Sequence, residues 1–304
     1  AMICSILYKV TPAEVRFLMI DPKRLELGVY DAIPHLLAPV VIDPREAAAR
    51  LRWIVGKMDE RYKLLASRHA RNIESYNREV APSERLPYLV VVVDELADLM
   101  MASAGEVQNS LVRLAQIARA VGIHLIVATQ RPSVDVVTGL IKANFPARIA
   151  FQVASKVDSR TILDANGAEQ LLGRGDMIFI PPGGSRQIRL HGSWVSEEEV
   201  KTVCDFLRKQ GTATYEEVEL PEEESAGEGG ETAERDESYW GAVQLVIAQR
   251  QASISFIQRR LGLGYPKAAR FIDMMEQDRI IGPGQGAKPR EILVGPDYLA
   301  KRGK

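Results

Sequence analysis

Cysteine is nearly absent. Cys4 and Cys204 are the only two in 304 residues, too far apart in sequence for a paired metal site and too few for a disulfide framework, which suits a reducing compartment. The four histidines, His35, His69, His124 and His191, are scattered without metal-ligand spacing and read as structural. No apolar run approaches the roughly 20 residues that cross a bilayer, and no secretory leader is visible. A Gly-x-x-x-x-Gly-Lys-Ser/Thr loop is also missing. Without it these residues hold no backbone cradle for phosphates and no lysine to neutralise them.

What remains is ordinary globular composition, 46% hydrophobic and 26% charged, and enough chain for two domains. The net charge of −1 conceals a strong asymmetry. Residues 216–237 carry eleven acidic side chains and one basic, Arg235. Residues 238–304 carry eleven Lys/Arg against five Asp/Glu, a surplus that points towards nucleic acid.

The chain is organised around Pro87-Tyr-Leu-Val-Val-Val-Val-Asp-Glu-Leu96. Leu89 to Val93 is an unbroken, largely β-branched run, the pattern of a strand buried on both faces of a parallel sheet. It stops at Asp94-Glu95. Ligands of α/β sheets gather at the carboxyl ends of strands, so this pair is a candidate for chemistry: Asp for a Mg²⁺ shell, Glu for polarising water. The plainer reading is an acidic N-cap on the following helix.

Other segments repeat the alternation of strand and helix. Val15 to Ile20 reads as a strand ending in Asp21-Pro22-Lys23, after a first segment, 1–10, that reads as the end of a helix. Pro44 opens a helix to about Ser67. Residues 106–121 form an amphipathic helix stopped by Gly122. His124 to Ala128 is a strand followed by Thr129-Gln130-Arg131-Pro132, and a short helix carries Val136, Val137, Leu140 and Ile141. Arg148 to Gln152 is a further strand, and Ser155 to Asp158 is a capping box. Asp176–Ile180 and Ile188–His191 flank Pro-Pro-Gly-Gly as a hairpin, and Ser196 to Glu199 caps a last helix to about Lys209. This predicts one doubly wound, mostly parallel α/β sheet over 1–212. Residues 213–237 lack core-forming side chains and read as an acidic flexible linker.

Residues 238–304 form a separate unit. Helices are expected over 242–249, from the Ser253 cap to Leu261, and from Pro266 to Gln277, with Gly262 to Gly264 as the turn. Ile280-Ile281 and Glu291 to Val294 read as strands around a glycine-rich wing. That is the winged-helix variant of helix-turn-helix, whose third helix enters the DNA major groove; its basic candidates are Arg259, Arg260, Lys267 and Arg270, with Asp273 beside them. A protein-binding winged helix is the alternative.

Gln130 ends the strand adjacent in sequence to the Asp94-Glu95 strand, where a neutral amide can contact a terminal phosphate or its attacking water. Arg148 and Arg160 are both candidates for an arginine finger supplied across a subunit interface, with Arg160 preferred for its place at a helix start. Arg174-Gly-Asp176 reads as a turn.

Together these stretches resemble the FtsK/SpoIIIE DNA translocases. The resemblance rests on Phe17-Leu-Met-Ile-Asp-Pro-Lys23, Ile33-Pro-His-Leu36, Val90 to Met100, Ala128-Thr-Gln-Arg-Pro-Ser-Val-Asp-Val136, Thr138 to Asn144, Ser155 to Asp164, and, in the tail, Ala252-Ser-Ile-Ser255, Gln258-Arg259, Gly264-Tyr265 and Ala268-Ala-Arg270. It implies a RecA-like, P-loop-type ATPase that forms a homo-hexamer around double-stranded DNA and uses ATP and Mg²⁺. It also implies a winged-helix terminal domain that reads orienting sequences and, in many members, contacts a site-specific tyrosine recombinase. By the same resemblance Asp94 and Glu95 are the Walker B pair, Gln130 the sensor after the next strand, and Arg270 a base-contacting residue. Asp273 stands where many members have Glu and Pro266 where many have Asn, so the preferred DNA sequence is expected to differ. The missing phosphate loop is expected just before Ala1, making this the cytoplasmic portion of a bacterial protein tethered to the inner membrane at the division septum through an upstream region. This portion alone is then expected to be inactive. A second reading is a non-enzymatic DNA-binding protein with a winged helix on a degenerate ATPase scaffold.

Overall fold

Three parallel strands carry the first unit: β1 (Val15–Ile20), β2 (Tyr88–Val93) and β3 (Ile123–Val127), in that spatial order. Leu18 lies opposite Val91 and Val91 opposite Leu125, so the three strands end level with one another. Residues 35–41 run along the outer edge of β1, with bridges Phe17–Leu36 and Ile20–Val41. The computed structural model describes residues 1–184, 186–216, 237–261, 265–282, 290–295 and 298, with the backbone alone at 237 and 265–267. The acidic run 217–236, the 262–264 turn, the wing tip 283–289 and the Lys267 side chain, all read from sequence above, lie outside the described residues.

Because successive strand side chains point to opposite faces, each strand feeds two cores. Leu18, Ile20, Leu89, Val91 and Val93 pack under α2 (Pro44–Ser67) and α4 (Leu96–Ile117). Phe17, Met19, Val90 and Val92 pack under α1 (Met2–Leu7) and α7 (Glu197–Gln210), where Cys4 and Cys204 are buried. The result is an α/β/α layering with helices on both faces of a parallel sheet. Among the described residues no helix is long and apolar enough to cross a membrane.

The helix ends follow local chemistry. Asp43 caps α2 by accepting from the Arg45 and Glu46 amides at 2.8 and 2.9 Å, ahead of Pro44 in the first turn. The capping boxes at Ser155–Asp158 and Ser196–Glu199 are both closed in both directions. A further helix, α3 (Ile73–Glu79), begins on an Asn72–Ser75 box that the sequence reading passed over.

Four elements differ from expectation. The helix after β2 starts at Leu96, not Glu106, because Glu95 itself caps it; non-helical angles at Ser103 mark a kink that the chain carries across rather than a break. In the short helix α5 (Gly139–Asn144), Thr138 caps the first turn, which leaves Val136 and Val137 before it. Residues 148–191 do not extend the parallel sheet. There β4 (Arg148–Ala150), β5 (Asp176–Ile180) and β6 (Ile188–His191) form a separate antiparallel sheet, with α6 (Lys156–Leu163) against β4. The short connection from β5 to β6 permits only antiparallel pairing, and β4 joins the other edge of β5, also antiparallel. Finally, the beginning of the expected linker is docked: the Glu216 amide donates to Leu37 O at 2.8 Å, Arg16 holds Thr214 O at 2.6 Å, and Glu216 pairs with Lys57 at 2.7 Å.

The chain divides into two compact units, 1–225 and 226–304. In the second, α8 (Glu237–Gln249), α9 (Ile254–Leu261) and α10 (Tyr265–Gln277) enclose Tyr239, Val243, Val246, Ile257, Phe271 and Met275. Ser253 Oγ accepts from the Phe256 amide at 3.3 Å, the expected cap. Antiparallel bridges join Ala252 to Arg290 and Ile281 to Ile292, which are the base of a wing.

Gly122 terminates the stretch after α4 at φ +74°, and a Cβ there would lie 2.4 Å from Ile73 Cδ1 and 3.1 Å from Tyr88 Cδ1. Both the left-handed angle and the contact exclude a side chain. Gly122→Ala is therefore expected to destabilise the protein by more than about 1 kcal/mol in urea titration; an unchanged midpoint would refute this account of the turn.

Candidate functional site

The level ends of β1, β2 and β3 bring three loops together. Asp94 N–H donates to Ile20 O at 3.0 Å, Ala128 N–H to Val93 O at 2.8 Å, and Leu96 N–H to Ala128 O at 2.8 Å. Backbone bonds thus staple the residues after each strand to their neighbours, at the edge where α/β proteins place their ligands.

Glu95 lies at the centre and is fully buried, 0% exposed. Its Oε1 accepts from Thr129 Oγ1 at 2.5 Å and from the Ala97 amide at 3.2 Å. Its Oε2 accepts from the Gln130 amide at 3.2 Å and faces Lys23 Nζ at 3.4 Å. Burial alone pushes this carboxyl upwards, but the Thr129 hydroxyl, the Gln130 and Ala97 amides and Lys23 outweigh it, and the group is held below the ordinary glutamate value. Lys23 also approaches Asp98 Oδ2 at 3.7 Å, and Arg131 Nη1 lies 3.8 Å from Asp98 Oδ1.

Asp94, the adjacent residue, is in the opposite situation. Burial, then the charges of Asp21, Glu26 and Glu95, push its carboxyl up to about 6, with Lys23 opposing them. Asp21 is itself fully buried, and accepts the amides of Lys23, Glu26 and Leu27 at 3.0, 3.0 and 2.9 Å. Asp94 is thus a half-buried carboxylate with surplus negative charge around it, which suits a cation. Among the described residues no group of three or more His, Cys, Asp or Glu is arranged as a metal cage.

Of the residues singled out from sequence, Asp94, Glu95 and Gln130 converge here. Gln130 contributes its amide N–H to Glu95, and its side chain is exposed at the edge of the site. Arg148 and Arg160 belong to the antiparallel sheet and its helix. Arg148 bonds Ile162 O at 3.0 Å and Asp164 at 2.6 Å, whereas the exposed Arg160 bonds the neutral Asn166 amide oxygen at 2.8 Å. Asp21, Lys23 and Thr129 were not singled out, although they too follow the ends of parallel strands; the rule that found Asp94 reaches them equally.

In the second unit, Arg259, Arg260, Arg270 and Asp273 are all exposed. Arg259 Nε donates to Ser255 O at 3.3 Å. Asp273 is paired with Arg290 at 3.7 Å, and Arg290 also pairs with Glu276, so the wing strand grips α10 through two acidic residues. Arg270 stands on α10 beside the buried Phe271.

The chain has the α/β fold of the P-loop ATPase motor domains. It superposes on the pCW3 conjugation coupling protein TcpA, solved with ATPγS, with a TM-score of 0.58 and 25% identity over 67% of this chain and 60% of that one. Residues 1–134 match the FtsK/SpoIIIE family, and residues 233–295 match the Ftsk gamma domain. The DNA translocase FtsK of Sporosarcina ureae is 52% identical over 98% of this chain, and the DNA translocase SpoIIIE of Bacillus subtilis (strain 168) is 51% identical over 97%. This chain belongs to the FtsK/SpoIIIE family. It spans about two fifths of the length of these relatives, 39% and 38%.

The raised Asp94 carboxyl fixes a pH dependence. Its unfolded value is near 3.8 and its folded value about 6, so the folded state binds the proton more tightly and stability falls as pH rises from about 4 to about 6. Asp94→Asn removes that penalty. The variant is expected to match the wild type below about pH 4 and to exceed it above about pH 6 by on the order of 1–2 kcal/mol. Denaturation midpoints measured across this range check it, and a gain confined to acid pH would contradict it.

Proposed function

We propose that this chain supplies the hydrolytic edge and the DNA-reading unit of an ATP-driven double-stranded DNA translocase that moves chromosomal DNA at cell division or sporulation. The observation that carries the reading is the meeting of Asp94, Glu95 and the 129–130 turn at one sheet edge. The names of the relatives and the ATPγS in the solved TcpA support it.

In this reading Asp94 is the protein ligand of Mg²⁺, which neutralises charge on the phosphate oxygens. Glu95 polarises the attacking water, and the exposed Gln130 amide contacts the terminal phosphate or that water. Arg160 of a neighbouring subunit in a homo-hexameric ring completes the site. Arg148 fits that role less well, because Asp164 already engages its charge. On this reading a phosphate cradle and a tether to the membrane belong to the whole translocase, of whose length in the relatives this chain spans about two fifths. Duplex DNA meets the exposed arginines of α9 and α10, Lys267 is a further DNA-binding candidate by sequence, and a tyrosine recombinase is a further partner of the winged-helix unit. The proposed division is a motor over 1–212, an acidic connection over 213–237 and a winged helix over 238–304.

The absent cradle gives a second reading some weight, a DNA-binding protein on a spent ATPase scaffold. The pKa contrast between Asp94 and Glu95 favours the motor, since adjacent carboxylates driven apart mark a working pair.

In the full-length protein, Glu95→Gln is expected to lower DNA-stimulated ATP hydrolysis by on the order of 10²-fold or more while duplex binding persists; undiminished turnover would reject the assignment. Arg270→Ala is expected to weaken binding to the preferred duplex by about 1–3 kcal/mol. Equal affinity of wild type and variant for every duplex tried would remove Arg270 from base readout.

A further inference from the structure

A carboxylate offers about four lone-pair directions, and on Glu95 they are taken. Thr129 Oγ1 and the Ala97 amide occupy Oε1, while the Gln130 amide and Lys23 occupy Oε2, and no part of the residue reaches solvent. A group so enclosed cannot also orient a water molecule. We propose that Thr129 and Lys23 are positioning residues that hold Glu95 withdrawn from water in the resting protein, and that hydrolysis requires Glu95 to leave this hold.

Three features of the geometry support the assignment. The Thr129 hydroxyl makes the shortest contact, 2.5 Å, from a side chain that lies in a loop rather than in the packed strand. Lys23 is shared between Glu95 at 3.4 Å and Asp98 at 3.7 Å, so it keeps one carboxylate partner when it releases the other. The Ala97 bond is the helix cap of α4, and it too is made to Oε1 of the carboxylate, so releasing Glu95 also gives up that cap. The hold opens by rotation of the Glu95 side chain alone, with the side-chain cap of α4 released in the same movement. Charge-assisted hydrogen bonds of this kind are the strong ones among side-chain contacts, so their loss should alter the balance of held and released Glu95 measurably.

The inference rests on the proposed ATPase reading for its kinetic arm but not for its structural arm. In the full-length protein, Thr129→Val is expected to raise ATP hydrolysis without DNA about tenfold and to cut the ratio of DNA-stimulated to resting rate by the same factor. Thr129→Ser restores the hydroxyl and should return the ratio towards wild type. Lys23→Gln should shift it in the same direction as Thr129→Val, and serves if Thr129→Val does not fold. Amide hydrogen exchange gives a readout independent of turnover: the Gln130 N–H, bonded to Glu95, should exchange about tenfold faster in Thr129→Val than in wild type. A stimulation ratio and a Gln130 exchange rate both unchanged by Thr129→Val and by Lys23→Gln would overturn the hold. So would a parallel loss of resting and stimulated rates that Thr129→Ser does not rescue. If Glu95→Gln leaves hydrolysis intact, the ATPase assignment of Glu95 falls instead, and Gln130 exchange still decides whether the hold exists.

Discussion

The buried carboxylate of Glu95 sets the conditions that the first unit has to meet. An unpaired charge in a protein interior costs several kcal/mol, so a side chain with no exposed surface must be surrounded by donors. Those donors come from three separate places: Lys23 after β1, Ala97 in the first turn of α4, and Thr129 and Gln130 after β3. They meet only if the three strands are parallel, ordered β1-β2-β3 and level at their carboxyl ends. The sheet register and the two-sided hydrophobic burial that maintains it therefore serve a polar constraint at one edge.

That edge also separates two neighbouring carboxyl groups into different states. Asp94 sits among Asp21, Glu26 and Glu95 and is driven upwards, whereas Glu95 collects donors and is driven downwards. Asp94 follows the end of β2 and Glu95 caps α4, so the adjacent side chains meet different surroundings. One is left partly accessible with excess negative charge around it. The other is enclosed and neutralised. A cation ligand and a water-polarising group need that difference, and the fold produces it with backbone geometry and burial.

The second unit solves a different problem with fewer residues. A small three-helix core around Tyr239, Val246, Ile257 and Met275 supports α10, while Arg290 from the wing strand holds Asp273 and Glu276 on that helix. Asp273 was expected to face DNA. Its pairing with Arg290 makes it part of the joint between helix and wing, while Arg270 on the same helix is exposed.

The sequence by itself determined whatever depends on near neighbours. The unbroken run of β2, the opening of α2 at Pro44, the caps at Ser155, Ser196 and Ser253, the stop at Gly122 and the hairpin of β5 and β6 were all legible, because period, capping and turn chemistry act over a few residues. The family stretches likewise marked Asp94, Glu95 and Gln130. Tertiary structure decided what depends on distant partners. That β4 pairs antiparallel with the β5–β6 hairpin, apart from the parallel sheet, could not be read because pairing direction is not written in a strand's own pattern. The helix after β2 starts on the acidic pair, as the plainer reading of Asp94-Glu95 had it, with Glu95 as the cap, and not at Glu106. Lys23 lies 72 residues before Glu95 and Thr129 lies 34 after it; no local pattern joins them. Only the level ends of three parallel strands bring those side chains to one carboxylate.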